Sequence, residues 1–140
     1  MTFEARSVSV ARTKPPEAEA PRGIRPLLLR AKRLRQLGRA SAALDVYGRA
    51  VALEPDNAVA LAGRGLCYLD LSDYAQAEAS FGSALEADGR NADALMGLAE
   101  TYRYEGRRGE AVSYYKRYLA AHPDGEDAVA ARNAIRALKE

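Results

Sequence analysis

The stretch AVALAGRGLCYLDLSDYAQAEASFGSALEADGRN, Ala58 to Asn91, is one copy of a pattern that returns on both sides of it at an interval of 34 residues. Ala77 is matched by Ala43 one interval earlier and Ala111 one interval later, and four residues after each stand Tyr47, Phe81 and Tyr115. With units counted from Ile24, Ala58 and Ala92, position 4 holds Leu27, Leu61 and Leu95, position 8 holds Ala31, Gly65 and Ala99, and position 11 holds Leu34, Tyr68 and Tyr102. Position 27 reads Ala50, Ala84 and Tyr118, and position 32 reads Pro55, Gly89 and Pro123. No insertion interrupts the three copies. Large, small, aromatic and helix-breaking residues thus return in phase, which amphipathic helices alone do not require.

Composition frames what such a chain can be. Its 140 residues suffice for one core but not for two independent ones. Aromatics make up only 7% and Trp is absent, so the core is expected to rest on Ala and Leu, with helices close together. The single Cys67 rules out an internal disulfide, and with one histidine, His122, it cannot assemble a structural zinc site. No apolar run is long enough for a secretory leader or a membrane span, so the chain reads as cytoplasmic. Arg outnumbers Lys by 17 to 4 and Ala is the commonest residue, a usage expected of a GC-rich bacterial genome. The net charge of +2 is unevenly spread. The first unit has seven Arg/Lys against three Asp/Glu, the second two against five, and the third five of each.

Residues 1–23 contain Pro15, Pro16 and Pro21 and few large apolar residues after Phe3, too few to offset the entropy of ordering. They read as a flexible arm, in which Arg6 to Arg12 alternates like a strand around Val8 and Val10 and is suited to ordering on contact. Helices are expected near Pro26 to Leu37 and Ser41 to Leu53, with Gly38 at the turn and Ser41 as N-cap. In the second unit they fall near Ala58 to Leu71 and Tyr74 to Ala87. In the third they fall near Ala92 to Glu105 and Arg108 to Ala121, closed by His122-Pro123. Glu126 to Glu140 then reads as a capping helix, with Ala128, Ala131, Ile135 and Leu138 on one face and Ala130, Ala131 and Ala134 leaving room for the Tyr118 ring.

The pattern from Ile24 to Gly125 resembles the tetratricopeptide repeat, helix-turn-helix units of this length with these residue preferences. The resemblance implies an all-α, right-handed solenoid with units at 24–57, 58–91 and 92–125, an arm at 1–23 and a cap at 126–140. It also implies a protein-interaction module, without enzymatic activity or cofactor, that binds a segment of a partner protein in its concave groove. An adaptor, an assembly scaffold and a chaperone-like role, as in bacterial secretion chaperones of similar architecture, are all compatible with it.

In that family positions 2, 5, 6, 9, 12 and 13 of each first helix face the groove. Transferred here, they imply a site of Leu28, Leu29, Lys32, Arg35, Ala62, Gly63, Leu66, Leu69, Met96, Gly97, Glu100, Arg103 and Tyr104, with Asp70 and Asp93 beside them. Gly63 and Gly97 share position 6, and the expectation is that they strip the groove floor of side chains so that a peptide backbone can approach. Some members hold the carboxyl terminus of heat-shock chaperones with a clamp of Lys, Asn and Arg. The corresponding residues here are Leu28, Lys32, Gly63, Asp93 and Gly97, so the clamp is missing.

Nothing in the chain composes a catalytic constellation. His122 stands in a turn before proline, Cys67 lies on an apolar helix side, and Gly63-Arg64-Gly65 follows no strand and lacks the Gly-Lys-Ser/Thr ending of a phosphate loop. The rival signal is the basic cluster Arg25, Arg30, Lys32, Arg33, Arg35 and Arg39 on the first helix, which suits an anion or nucleic acid. These residues are spread around the helix and lack interleaved aromatics that stack on bases.

Overall fold

The computed structural model describes residues 23–139. The arm read at the amino terminus lies, except for Gly23, outside them. The described residues form seven helices: α1 (Arg25–Gln36), α2 (Ala40–Leu53), α3 (Ala58–Asp70), α4 (Tyr74–Ala87), α5 (Ala92–Tyr104), α6 (Arg108–Ala121) and α7 (Ala128–Lys139). The result is an all-α helical-repeat solenoid.

Capping chemistry starts α3, α4 and α5. The Asn57 and Asn91 side chains, one interval apart, accept from the backbone N–H groups of Ala60 and Ala94 at 3.0 and 2.9 Å. Asp73 accepts from Gln76 N–H at 3.3 Å. Ser41 does not cap α2 as expected. The N-cap is Arg39, which makes no side-chain capping bond, and Ser41 is exposed inside the helix. The reason is register, because Ala40 starts its helix where Tyr74 and Arg108 start theirs.

The turn within each helix pair needs one residue in the left-handed region, and Gly38, Ser72 and Gly106 occupy it at φ 79°, 61° and 79°. Glycine adopts this conformation without penalty, whereas an L side chain pays for a Cβ close to the carbonyl.

An aromatic ring joins each helix pair to the next. Phe81 of α4 is fully buried between Gly65 of its own pair and Gly97 of the following one, and a Cβ on either glycine would come within 3 Å of the ring. Tyr47 of α2 stands in the same relation to Gly63 of α3. Tyr115 of α6 repeats the arrangement at its own register, with Ala99 and Ala131 buried in the same cluster. Burying such a ring is worth about 3–5 kcal/mol by truncation, so these contacts dominate the cohesion between pairs.

α7 extends the register beyond the third pair. Ala128 and Ala131 are buried where Ala60 and Ala94, and Gly63 and Gly97, stand in earlier units. They help enclose Tyr115 and Tyr118, both almost inaccessible to solvent. Tyr118 also needs Gly125, since its hydroxyl lies where a Cβ there would project and accepts the Asp127 backbone N–H at 3.0 Å. Ala130, expected to help seat this ring, is instead exposed.

Replacing Ser72 by glycine relieves the one non-glycine left-handed residue among the described residues. Urea unfolding of Ser72→Gly is expected to show a gain of ~0.5–1 kcal/mol, because the strain removed exceeds the added chain entropy. A loss of stability contradicts the strain assigned to this turn.

Candidate functional site

The first helices of the pairs, α1, α3 and α5, lie side by side and line a groove made of two connected clefts. One, of about 450 Å³, is bounded by Leu28, Leu29, Lys32, Arg35, Tyr47, Val59, Gly63, Leu66, Asp93 and Glu126. The other, of about 400 Å³, is bounded by Arg35, Leu66, Leu69, Asp93, Met96, Gly97, Glu100, Asp127 and Ala130. Arg35, Leu66 and Asp93 line both, so the clefts are continuous. Glu126 faces the same cleft as Leu28 and Leu29, so the chain leading into α7 closes on the groove from the side opposite α1.

Ten of the residues expected on the groove line it. Ala62, Arg103 and Tyr104 do not. Ala62 is buried in the core. Arg103 turns to Glu100 at 2.7 Å and lies over the Tyr104 ring, and Tyr104 stacks on Tyr74 with centroids 5.8 Å apart. These two belong to the edge formed by the end of α5 and the start of α4. Tyr47, Val59, Glu126, Asp127 and Ala130 line the groove without having been expected there. Val59 and Asp127 stand at position 2 of their units, which the family pattern itself points at. A capping helix over residues 126–140 implies covering surface only and does not point at Glu126 or Asp127.

The two glycines act differently from the sequence expectation. Gly63 and Gly97 do border the groove, but the space their side chains would fill is taken from below by the rings of Tyr47 and Phe81. They are required by packing between successive pairs. A bulky residue at Gly97 would collide with Phe81 before it filled the groove.

Charge is ordered along the groove. Lys32 and Arg35 come from α1, and Arg35 donates to both Asp70 carboxylate oxygens, at 2.7 and 3.2 Å. At the other side stand Asp93, Glu100, Glu126 and Asp127. Glu100 accepts from the Tyr115 hydroxyl and from Arg103. Among the described residues, no Lys or Arg forms an ion pair with Asp93, Glu126 or Asp127. Partial burial, reinforced by Glu126, Asp93 and Glu100, raises the Asp127 pKa above its ordinary value. The groove is therefore apolar along its floor, cationic beside α1 and anionic beside α5 and α7.

Cys67 lies in the core below this surface, and burial pushes its thiol up to about 11, so it is protonated at neutral pH. Of the basic cluster on α1, Lys32 and Arg35 enter the groove, while Arg30 and Arg33 flank a shallow surface that adjoins it at Leu29 and Lys32.

The model of the tetratricopeptide repeat matches residues 28–79 and 68–126. The chain belongs to the tetratricopeptide-repeat family. Tetratricopeptide repeat protein 8 of Caenorhabditis elegans is 31% identical over 78 residues, which are 56% of this chain and 15% of that protein, so the chain spans only a small part of its length. The second tetratricopeptide-repeat domain of human RPAP3, solved with the HSP70 peptide SGPTIEEVD, superposes with a TM-score of 0.72 at 24% identity, covering 81% of this chain and 92% of that one. The TPR2B domain of yeast Sti1, in complex with an Hsp70 peptide, gives 0.76 at 15% identity over 81% and 94%. These likenesses establish the repeat fold. No helix among the described residues is long and apolar enough to cross a membrane.

A carboxyl whose folded-state pKa lies above its unfolded value costs stability when charged, and that cost disappears as pH falls through the folded value. Asp127→Asn should therefore melt above the parent protein at pH 7, with the difference closing in the acid carboxylate range. A variant that melts lower at pH 7 contradicts the environment described for Asp127.

Proposed function

We propose that this tetratricopeptide-repeat groove binds an extended or helical segment of a partner protein, and that the chain works as a non-enzymatic adaptor, scaffold or chaperone-like module. The observation that carries this reading is the continuous groove, in which Leu28, Leu66, Leu69 and Met96 line an apolar path between charges of opposite sign. Apolar anchors on the partner segment fill the two clefts, and the charges set its direction.

The charge order selects the chemistry of that segment. The RPAP3 domain is held with a peptide ending in EEVD. Here Asp93 stands where the clamp of the resembling family has a cation, and Glu126 and Asp127 add to the same side. An acidic tail is repelled there. A segment with apolar residues followed by lysine or arginine is matched, its cation lying against Asp93, Glu126 and Asp127 and its apolar side chains over Leu66 and Met96.

Fluorescence anisotropy with labelled peptides tests this. Peptides combining apolar residues with Arg or Lys should bind, and SGPTIEEVD should not. Leu66→Asp and Asp93→Lys should each weaken the binding by about tenfold or more, as expected for central contacts. A protein that binds duplex DNA with a steep salt dependence, loses it in Arg30→Glu/Arg33→Glu and is indifferent to Leu66→Asp would shift the function to the basic face of α1.

A further inference from the structure

The groove asks for a segment that is apolar, cationic and without acidic residues, and the chain itself carries one. Residues 5–14, ARSVSVARTK, contain Arg6, Arg12 and Lys14 and no acidic residue, and their alternation is one that an extended backbone would sort with Val8 and Val10 on one side. We propose that Arg6 to Lys14 occupies the groove of its own chain, as a resident segment that a partner must displace. This rests on the reading of the groove as a peptide site.

Charge order supports the assignment. Between Lys14 and α1 the chain carries Glu17 and Glu19 and then Arg22, so the basic segment is followed by a stretch that is acidic on balance. The groove runs the opposite way, with Lys32 and Arg35 beside α1 and Asp93, Glu126 and Asp127 on the far side. Laid back from the start of α1 across the groove, the connecting stretch brings Glu17 and Glu19 toward the basic helix. Arg6, Arg12 and Lys14 then lie toward the carboxylates that pair with no cation among the described residues. The apolar floor between these ends receives Val8 and Val10.

Reach is sufficient. α1 itself lines the groove, and Gly23 lies two residues before it. Nine residue steps separate Lys14 from Gly23, three of the intervening residues being proline. At about 3.1 Å per residue for a proline-rich extended chain they cover roughly 28 Å. α5 lies two helix spacings from α1, about 16–20 Å. A tether of this length holds the segment at a millimolar effective concentration, so a modest intrinsic affinity fills the groove. A partner then binds only to the extent that it outcompetes the segment, which makes the arm a threshold on partner affinity.

The test uses the full chain. Trypsin cleavage after Arg6 and Arg12, followed by mass spectrometry under native conditions, should be several-fold slower than in Glu126→Lys and in Leu66→Asp, with all three proteins equally helical by circular dichroism. Should Leu66→Asp lose helicity, Glu126→Lys, on an exposed residue outside the helices, decides alone. Val8→Asp/Val10→Asp should bind the labelled apolar-cationic peptide several-fold more tightly than the parent, because the competitor is gone. Protection independent of protein concentration identifies the chain's own segment. Protection that grows with concentration assigns the groove to the arm of a second copy and overturns the proposal. Equal cleavage in all variants also overturns it, while leaving the peptide groove standing if the labelled peptide still binds and Leu66→Asp still weakens it.

Discussion

The ring of Phe81 occupies the space that side chains at Gly65 and Gly97 would fill, and the rest of the solenoid depends on that exchange. An aromatic residue on the second helix of a pair can be shared between two first helices only when both present small residues to it. The 34-residue interval supplies this wherever it is needed, with Ala31, Gly65 and Ala99 on the near side and Gly63, Gly97 and Ala131 on the far side. Helix propensity argues the other way, since a glycine inside a helix costs about 1 kcal/mol relative to alanine. The buried ring returns several times that, so packing decides the residue. The same geometry explains why α7 begins with buried alanines, as it takes the position a fourth first helix would hold.

Because each ring draws neighbouring first helices together from below, those helices present a continuous surface on the other side, and the groove is its consequence. Gly63 and Gly97 take part in both layers, with a ring beneath and an open cleft above. The charge of the groove is set separately from its shape. Arg35 and Lys32 arrive on α1, Asp93 in the first turn of α5, where a helix dipole favours a carboxylate, and Glu126 and Asp127 on the segment leading into α7. A domain of this fold has been solved with the peptide SGPTIEEVD, whereas the groove here is anionic beyond α1. Similarity of fold therefore does not by itself carry a ligand across to this chain.

The repeat was legible in the sequence because it is one-dimensional: the same residue types return at one interval, and each return marks one packing contact. Helix limits followed to within two residues for the same reason. Ser41 was misread because a hydroxyl near a helix start satisfies a local rule, whereas the start of α2 is set by the register it shares with α4 and α6. The glycines at position 6 were misread because a missing side chain has two sides in space, and periodicity alone does not tell which of them is filled. Glu126 and Asp127 escaped because the curvature that brings the end of the solenoid back toward α1 is a property of the assembled helices and of no single unit. Tyr104 and Arg103 sit at positions facing the groove in the family, yet Tyr74 draws Tyr104 to the edge by stacking.

The most direct test of this account is the stability of Gly97→Ala measured by urea unfolding alone and in the Phe81→Leu background. With the ring in its slot, the added methyl should destabilise by roughly 1–3 kcal/mol, against a helix-propensity gain of about 1 kcal/mol, and in the Phe81→Leu background the cost should shrink or change sign. If Gly97→Ala instead stabilises the protein by about 1 kcal/mol in both backgrounds, the ring does not fill the space beneath Gly97 and the shared-aromatic account of the solenoid is wrong.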